Sequence, residues 1–161
     1  MATERHLVIL RHAKSAWPDG TPDRQRPLNE RGRRDAPAAG RWLRENVDPL
    51  DVVVCSPAQR ARQTWELVAT ELADPPEPTF DEDVYGASPS SLLTLVTALP
   101  DDAQTVLLIG HNPSLQDLVE LLSGQQREMK TSSLAVLTWS GGWTDGTARA
   151  AVLRDHATPR G

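Results

Sequence analysis

Four residues of this chain could act together on an anion: the neighbours Arg11 and His12, then Arg60, then His111. An arginine offers a fork of N–H donors that matches phosphate oxygens and keeps its charge at physiological pH. A neutral imidazole nitrogen is available near pH 7 as a nucleophile. Two guanidiniums and two imidazoles at one point would suit a phosphoryl group. The arginines would stabilise the charge spread over its oxygens, and one histidine would carry it as a phosphoramidate that water can cleave.

Convergence depends on the elements that carry these side chains. Short apolar blocks recur at Leu7 to Leu10, Val52 to Cys55, Val106 to Ile109, Leu134 to Leu137 and Ala150 to Leu153, the earlier ones separated by longer periodic segments. This alternation predicts a three-layer α/β/α fold with a central, mostly parallel sheet. The glycine-rich link "SGGWTDG" between the last two blocks reads as a hairpin, which predicts an antiparallel strand at one edge. In a parallel sheet, ligands gather at the carboxyl ends of strands, where helix N-termini also point their free N–H groups. Arg11 and His12 follow the first block, Arg60 falls in the first helical turn after "VVVCSP", and His111 follows "VLLIG". Neighbouring strands would therefore gather all four.

Ser56-Pro57, Ser88-Pro89 and Asn112-Pro113 each pair an N-cap residue with a proline suited to a first helical position. Ala61, Trp65, Val68 and Leu72 would face the core from the first of these helices, and Leu115, Leu118, Val119 and Leu122 from the third, with Gly124 as its stop. An earlier helix should follow Asn29, with Ala39, Trp42 and Leu43 inward and Pro37 imposing a kink or a late start. "DPPEPTFDED" reads as a loop and the tail "DHATPRG" as frayed. We expect one domain over residues 1–161.

A net charge of -5 argues against a nucleic-acid binder, although the arginines are concentrated before Arg62. A single cysteine, Cys55, allows neither an intramolecular disulfide nor a multi-cysteine zinc site and fits a reducing cytoplasm. The N-terminus reads as neither signal peptide nor membrane anchor. No cofactor or metal is expected, and a short chain of this class is expected to be monomeric.

The clusters also carry a resemblance. "LRHAKSAW" resembles the Arg-His-Gly signature of the histidine phosphatase superfamily, with Ala13 in place of the usual glycine and Ser15 where a small hydroxyl residue is common. "PLNERGRRDA", "CSPAQRARQTWE" and "IGHNPSL" resemble its other blocks, in order. The best match is to the short SixA-like phosphohistidine phosphatases. The resemblance implies a phosphoglycerate mutase-like fold, His12 as the phosphorylated nucleophile, and Arg11, Arg60 and His111 as holders of the phosphate. It adds Ser15 as a hydroxyl contact and leaves Asn112 to cap its helix. The partner it implies is a phosphohistidine-carrying protein or a small phosphorylated metabolite.

Related mutases and phosphomonoesterases protonate the departing oxygen with a carboxylic acid. "DEDVYG" offers Asp81, Glu82 and Asp83, and Glu82 has the mutase spacing to Tyr85-Gly86. A phosphohistidine substrate needs that acid less, because imidazole leaves more readily than an alkoxide. Trp17 falls where the superfamily often has an aromatic residue beside the pocket. His6 and His156 match no motif.

Rival readings fail on spacing or composition. A cysteine phosphatase would need an arginine six positions after Cys55, where Ala61 stands. A metallophosphatase would need Gly-Asp motifs, and a dinucleotide site a glycine-rich turn after the first strand. A mutase would need inserted segments to close over its intermediate, and the chain between Arg60 and His111 is short. A silent phosphoprotein-binding module is separable only by turnover.

Overall fold

The computed structural model describes residues 3–161. Six strands form one sheet: β1 (Glu4–Arg11), β2 (Val52–Cys55), β3 (Thr79–Phe80), β4 (Thr105–Gly110), β5 (Leu134–Ser140) and β6 (Val152–Ala157), in the order β3-β2-β4-β1-β5-β6. β3, β2, β4 and β1 are mutually parallel, and β5 runs antiparallel to both β1 and β6. The reversed strand is thus internal, and β6 closes the edge. The helices are α1 (Glu30–Asn46), α2 (Gln59–Ala69), α3 (Pro89–Thr97) and α4 (Ser114–Ser123).

Side chains alternate across a strand, so each strand feeds two cores. Leu7, Ile9, Val106 and Leu108 pack with Leu92 and Val96 of α3 and Leu115, Leu118 and Leu122 of α4. Val8, Leu10, Leu107 and Ile109 pack with Ala39 and Leu43 of α1 and Ala61, Trp65 and Val68 of α2. Helices therefore cover both faces, which is why the central strands read as unbroken apolar runs.

The helix starts depart from expectation at two prolines. Ser88 does cap α3, in a capping box with Ser91 and with Pro89 at the helix start. α2, however, begins at Gln59 behind Ala58, and α4 begins at Ser114 behind Pro113. Ser56 and Asn112 lie outside these helices; Ser56 is engaged elsewhere, and the Asn112 Oδ1 still accepts from the Gln116 N–H at 3.3 Å. α1 starts directly at Glu30, with the Asn29 side chain accepting from the Gly32 N–H, and runs through Pro37 without a late start. Leu72 falls beyond the end of α2, and Trp42 is half-buried against the core.

The C-terminal segments also differ. β6 begins later than its apolar block suggested, and the residues read as frayed are tied down. Asp155 and His156 pair with β5, while the Arg160 guanidinium and the Gly161 N–H donate to the buried Asp35 carboxylate at 3.0 Å. The acidic proline-rich stretch holds β3 and a short 3-10 turn at Glu82–Val84. The glycine-rich hairpin needs Gly141, whose φ is +107° and whose Cβ would collide with the Asp145 carboxylate.

Candidate active site

β4 lies between β1 and β2, so three strand ends open side by side. β1 ends at Arg11, paired in register with Gly110 of β4. His12 and His111 follow at once, and their rings sit 5.1 Å apart between centroids. β2 delivers Ser56, and the first turn of α2 delivers Arg60. The four residues expected to converge do so, in one cavity also lined by Lys14, Ser15, Trp17, Arg26, Asn112 and Thr131.

His12 is only 6% exposed. Its Nδ1 lies 2.8 Å from the carbonyl of Ala13, and its Nε2 lies 3.3 Å from the Nε of Arg60. A carbonyl can only accept and a guanidinium N–H can only donate, so Nδ1 carries the proton and Nε2 presents its lone pair. Burial, reinforced by His111, Arg60 and Arg11, overcomes the Ala13 hydrogen bond and pushes the imidazole down to about 3, so it is neutral at physiological pH.

The same logic fixes the other ring in the opposite tautomer. Arg60 Nη2 faces His111 Nδ1 at 3.4 Å, and His111 Nε2 lies 2.7 Å from Ser56 Oγ. His111 therefore donates to Ser56 and accepts from Arg60. Burial and the nearby Arg60 push it down to about 4.

The backbone around His12 is pinned. Its N–H donates to Gly110 O at 3.1 Å. The Ala13 N–H donates to Thr64 Oγ1 at 3.0 Å, and that hydroxyl donates to Arg60 O at 2.7 Å. Thr64 thus ties the loop of His12 to the turn of α2 that carries Arg60. Arg11 donates to Met129 O at 3.1 Å through Nη1, while its buried Nε has no partner. A donor left open on a residue that lines a cationic cavity suits an incoming anion.

Sequence reasoning missed Asp23, Arg26, Ser56 and Thr64. Asp23 accepts from Arg60 through its carbonyl at 2.8 Å and its carboxylate at 3.2 Å, from Arg26 at 2.9 Å and from Tyr85 at 2.5 Å. These donors, Tyr85 first, hold its carboxyl far below the ordinary range. Arg26 is buried, donates to Ser15 Oγ and lies over the Trp17 ring at 3.2 Å. Trp17 itself is 76% exposed at the rim. A Ser after a strand, a Thr within α2 and an Asp in a short 3-10 turn announce little; only the fold shows which side chain they face.

Glu82 does not line the cavity. It is exposed and hydrogen-bonded to Arg24. That guanidinium lowers its pKa, whereas a general acid must hold its proton at working pH. Cys55 is buried and pushed up to about 12 by desolvation, an inert thiol. His6 pairs with Glu4 at 3.5 Å, and His156 contacts Glu128 O at 2.9 Å. Among the described residues no group of three or more His, Cys, Asp or Glu could hold a metal ion, and no helix is long and apolar enough to cross a membrane.

A buried neutral imidazole with an unprotonated Nε2, ringed by two guanidiniums, suits phosphoryl transfer. Comparison with known proteins agrees. The pattern of the Histidine phosphatase superfamily (branch 1) matches residues 7–86, a span that takes in Arg11, His12 and Arg60 and stops short of His111. The chain belongs to the histidine phosphatase superfamily. Within it the chain is SixA-like: it superposes on the SixA protein of Nakamurella multipartitia, assigned as a phosphohistidine phosphatase, with a TM-score of 0.87, 33% identity and 98% of each chain covered. A protein histidine phosphatase SixA complexed with tungstate gives a TM-score of 0.84 and 25% identity over 96% of this chain and 97% of that one. An uncharacterised protein of Mycobacterium tuberculosis strain H37Rv is 39% identical over 162 residues, covering 94% of this chain and 100% of its own.

Proposed function

We propose that this chain is a monomeric cytoplasmic phosphatase that hydrolyses phosphohistidine on a protein by way of a phosphoryl group carried on His12. The observation that carries the reading is the His12 tautomer. The Ala13 carbonyl holds the proton on Nδ1, so Nε2 is a neutral nucleophile facing Arg60.

In the first step Nε2 attacks phosphorus in line, and the bond from phosphorus to the leaving group breaks with its electron pair going to that group. The phosphoryl oxygens take up the open Nε–H of Arg11 and the donors of Arg60. His12 becomes cationic as it accepts the phosphoryl group, and the Ala13 carbonyl stabilises that charge through Nδ1–H. In the second step water bonds to phosphorus and the electron pair returns to Nε2. Dihydrogen phosphate leaves and the starting tautomer is restored. Both steps reuse one preorganised set of donors, which is how such sites lower the barrier.

Three observations support a protein substrate. The rim is open, with Lys14 and Trp17 exposed beside the cavity. Only short segments join Arg60 to His111, so no large lid covers the site. The structural relatives include SixA proteins assigned to phosphohistidine.

The test is phosphate release by wild type and His12→Ala from a phosphohistidine protein, phosphoserine and phosphoglycerate, with a chelator present. Selective release from phosphohistidine, abolished by His12→Ala, is expected. Preference for the esters would move the assignment to a small-molecule phosphomonoesterase, and no release from any substrate would leave a phosphoprotein-binding module.

A further inference from the structure

The loop that leads into β5 touches the end of β1 on one side and the segment after β6 on the other. Towards β1, the Ser132 N–H donates to the carbonyls of Arg11 and His12 at 3.1 and 3.2 Å, and the Arg11 N–H donates to Ser133 O at 3.1 Å. Towards the other segment, Arg160 Nη1 donates to Thr131 O at 2.9 Å, and the hydroxyls of Ser133 and Thr158 lie 2.8 Å apart. Thr131 also lines the cavity. Three successive residues thus join the backbone of Arg11 and His12 to Thr158 and Arg160.

The middle residue of the three is strained. Ser132 has a φ of +62°, a left-handed conformation that residues with a Cβ rarely adopt. Its buried hydroxyl has no hydrogen-bond partner among the described residues, so the side chain does not hold it there. Such a conformation persists only where the surroundings over-determine it. Asp35, 1% exposed, supplies the anchor. Its carboxylate accepts from Arg160 Nη1 and the Gly161 N–H, both at 3.0 Å, and from Arg31 Nε at 3.3 Å. One nitrogen of Arg160 therefore bonds both a buried carboxylate of α1 and the carbonyl that precedes Ser132.

We infer that Arg160 is a positioning residue for phosphoryl transfer: anchored on Asp35, it holds residues 131–133 in the conformation that fixes the backbone of Arg11 and His12. It acts through that backbone and not on the substrate. The inference rests on the reading of His12 as the phosphoryl carrier, and not on the identity of the leaving group. Slack in this loop would let the His12 ring drift from the line of attack. Misplacing an attacking atom by about 1 Å costs about 100-fold in rate.

Steady-state kinetics of Arg160→Ala, Arg160→Lys, Thr158→Val and Arg154→Ala test this, on whichever of a phosphohistidine protein and p-nitrophenyl phosphate wild type turns over. Arg154 is the control: it ties β6 to Thr138 Oγ1 at 3.1 Å, beside the start of β1 and away from the cavity. Arg160→Ala should lower kcat about 10- to 100-fold and leave KM within about threefold. Thr158→Val should lower kcat by a smaller factor, and Arg154→Ala should leave it unchanged. Arg160→Lys should recover part of the lost rate, because one ammonium can make both bonds that one nitrogen makes in wild type. Thermal melting of each variant separates loss of folded protein from loss of rate. A folded Arg160→Ala protein with wild-type kcat would overturn the inference, and so would equal losses in Arg160→Ala and Arg154→Ala or no recovery with lysine. Should Arg160→Ala not fold, an unchanged kcat in Thr158→Val overturns it instead. Turnover that survives His12→Ala would overturn the reading beneath and the inference with it, whereas the variant results alone leave that reading standing.

Discussion

Acid should destabilise this protein through its two site imidazoles, by an amount that follows from their burial. His12 is held at about 3 and His111 at about 4. Both return to about 6.5 when the chain unfolds. Between these values the unfolded chain binds protons that the folded chain refuses, so stability falls as pH drops below about 6.5 and keeps falling until the folded-state values are reached. Each pH unit in that window is worth about 1.4 kcal/mol per group, so moving from pH 7 to pH 5 costs about 2 kcal/mol for each histidine. That is a large share of the roughly 5–15 kcal/mol that holds a domain together. Urea unfolding of wild type and His12→Gln at both pH values isolates one of the two contributions, because the carboxylates contribute the same background to each protein. The variant should lose about 2 kcal/mol less than wild type. Equal losses would refute the argument from burial, and with it the claim that His12 remains a neutral nucleophile in mild acid.

Two further substitutions probe how the site is held. Ser56→Ala removes the acceptor for the His111 Nε2–H and the Ala58 N–H; we expect a loss of about 1–3 kcal/mol in urea unfolding and about tenfold in kcat/KM, as the imidazole becomes free to change tautomer. Unchanged kinetics would show that Arg60 alone orients His111. Gly32→Ala ought to favour a helix by about 1 kcal/mol, but its Cβ would come within 2.1 Å of the Lys14 carbonyl oxygen. Steric conflict with backbone should win, lowering stability by about 1–3 kcal/mol and activity with it, because Lys14 follows the peptide that fixes His12; a variant more stable than wild type would refute that order.

The strand blocks and the convergence of Arg11, His12, Arg60 and His111 were legible because they follow from local rules. Central strands covered on both faces read as apolar runs, and chemistry at their carboxyl ends follows from the topology. The helix starts at Ser56-Pro57 and Asn112-Pro113 misled for a shared reason. The pattern of a polar residue before proline marks a capped helix when the side chain is free to turn back, as at Ser88. At Ser56 the oxygen faces a histidine from another strand, and at Asn112 the amide nitrogen donates to Met129 O at 2.7 Å, contacts that propensity cannot see. The tail read as frayed because nothing local marks Asp35, far upstream, as the buried acceptor for Arg160. Glu82 was singled out by spacing, but its partner Arg24 sits on a short 3-10 turn, Asp23–Gln25, whose position only the fold reveals.

The carboxylates nearest the cavity bear directly on which bond it can break. Asp23 is held ionised by Tyr85, Arg26 and Arg60, and Glu82 by Arg24. An ester phosphatase needs one of them protonated at neutral pH, and hydrogen-bond donors on both oppose that. Expelling an alkoxide with either of these two carboxylates as the acid would require breaking an arginine contact and then adding a proton, two unfavourable steps before the chemistry begins. A phosphohistidine ring brings its own proton and leaves as a neutral molecule. On the proposed reading, a substrate that needs no general acid fits a cavity whose neighbouring carboxylates are held ionised by guanidiniums.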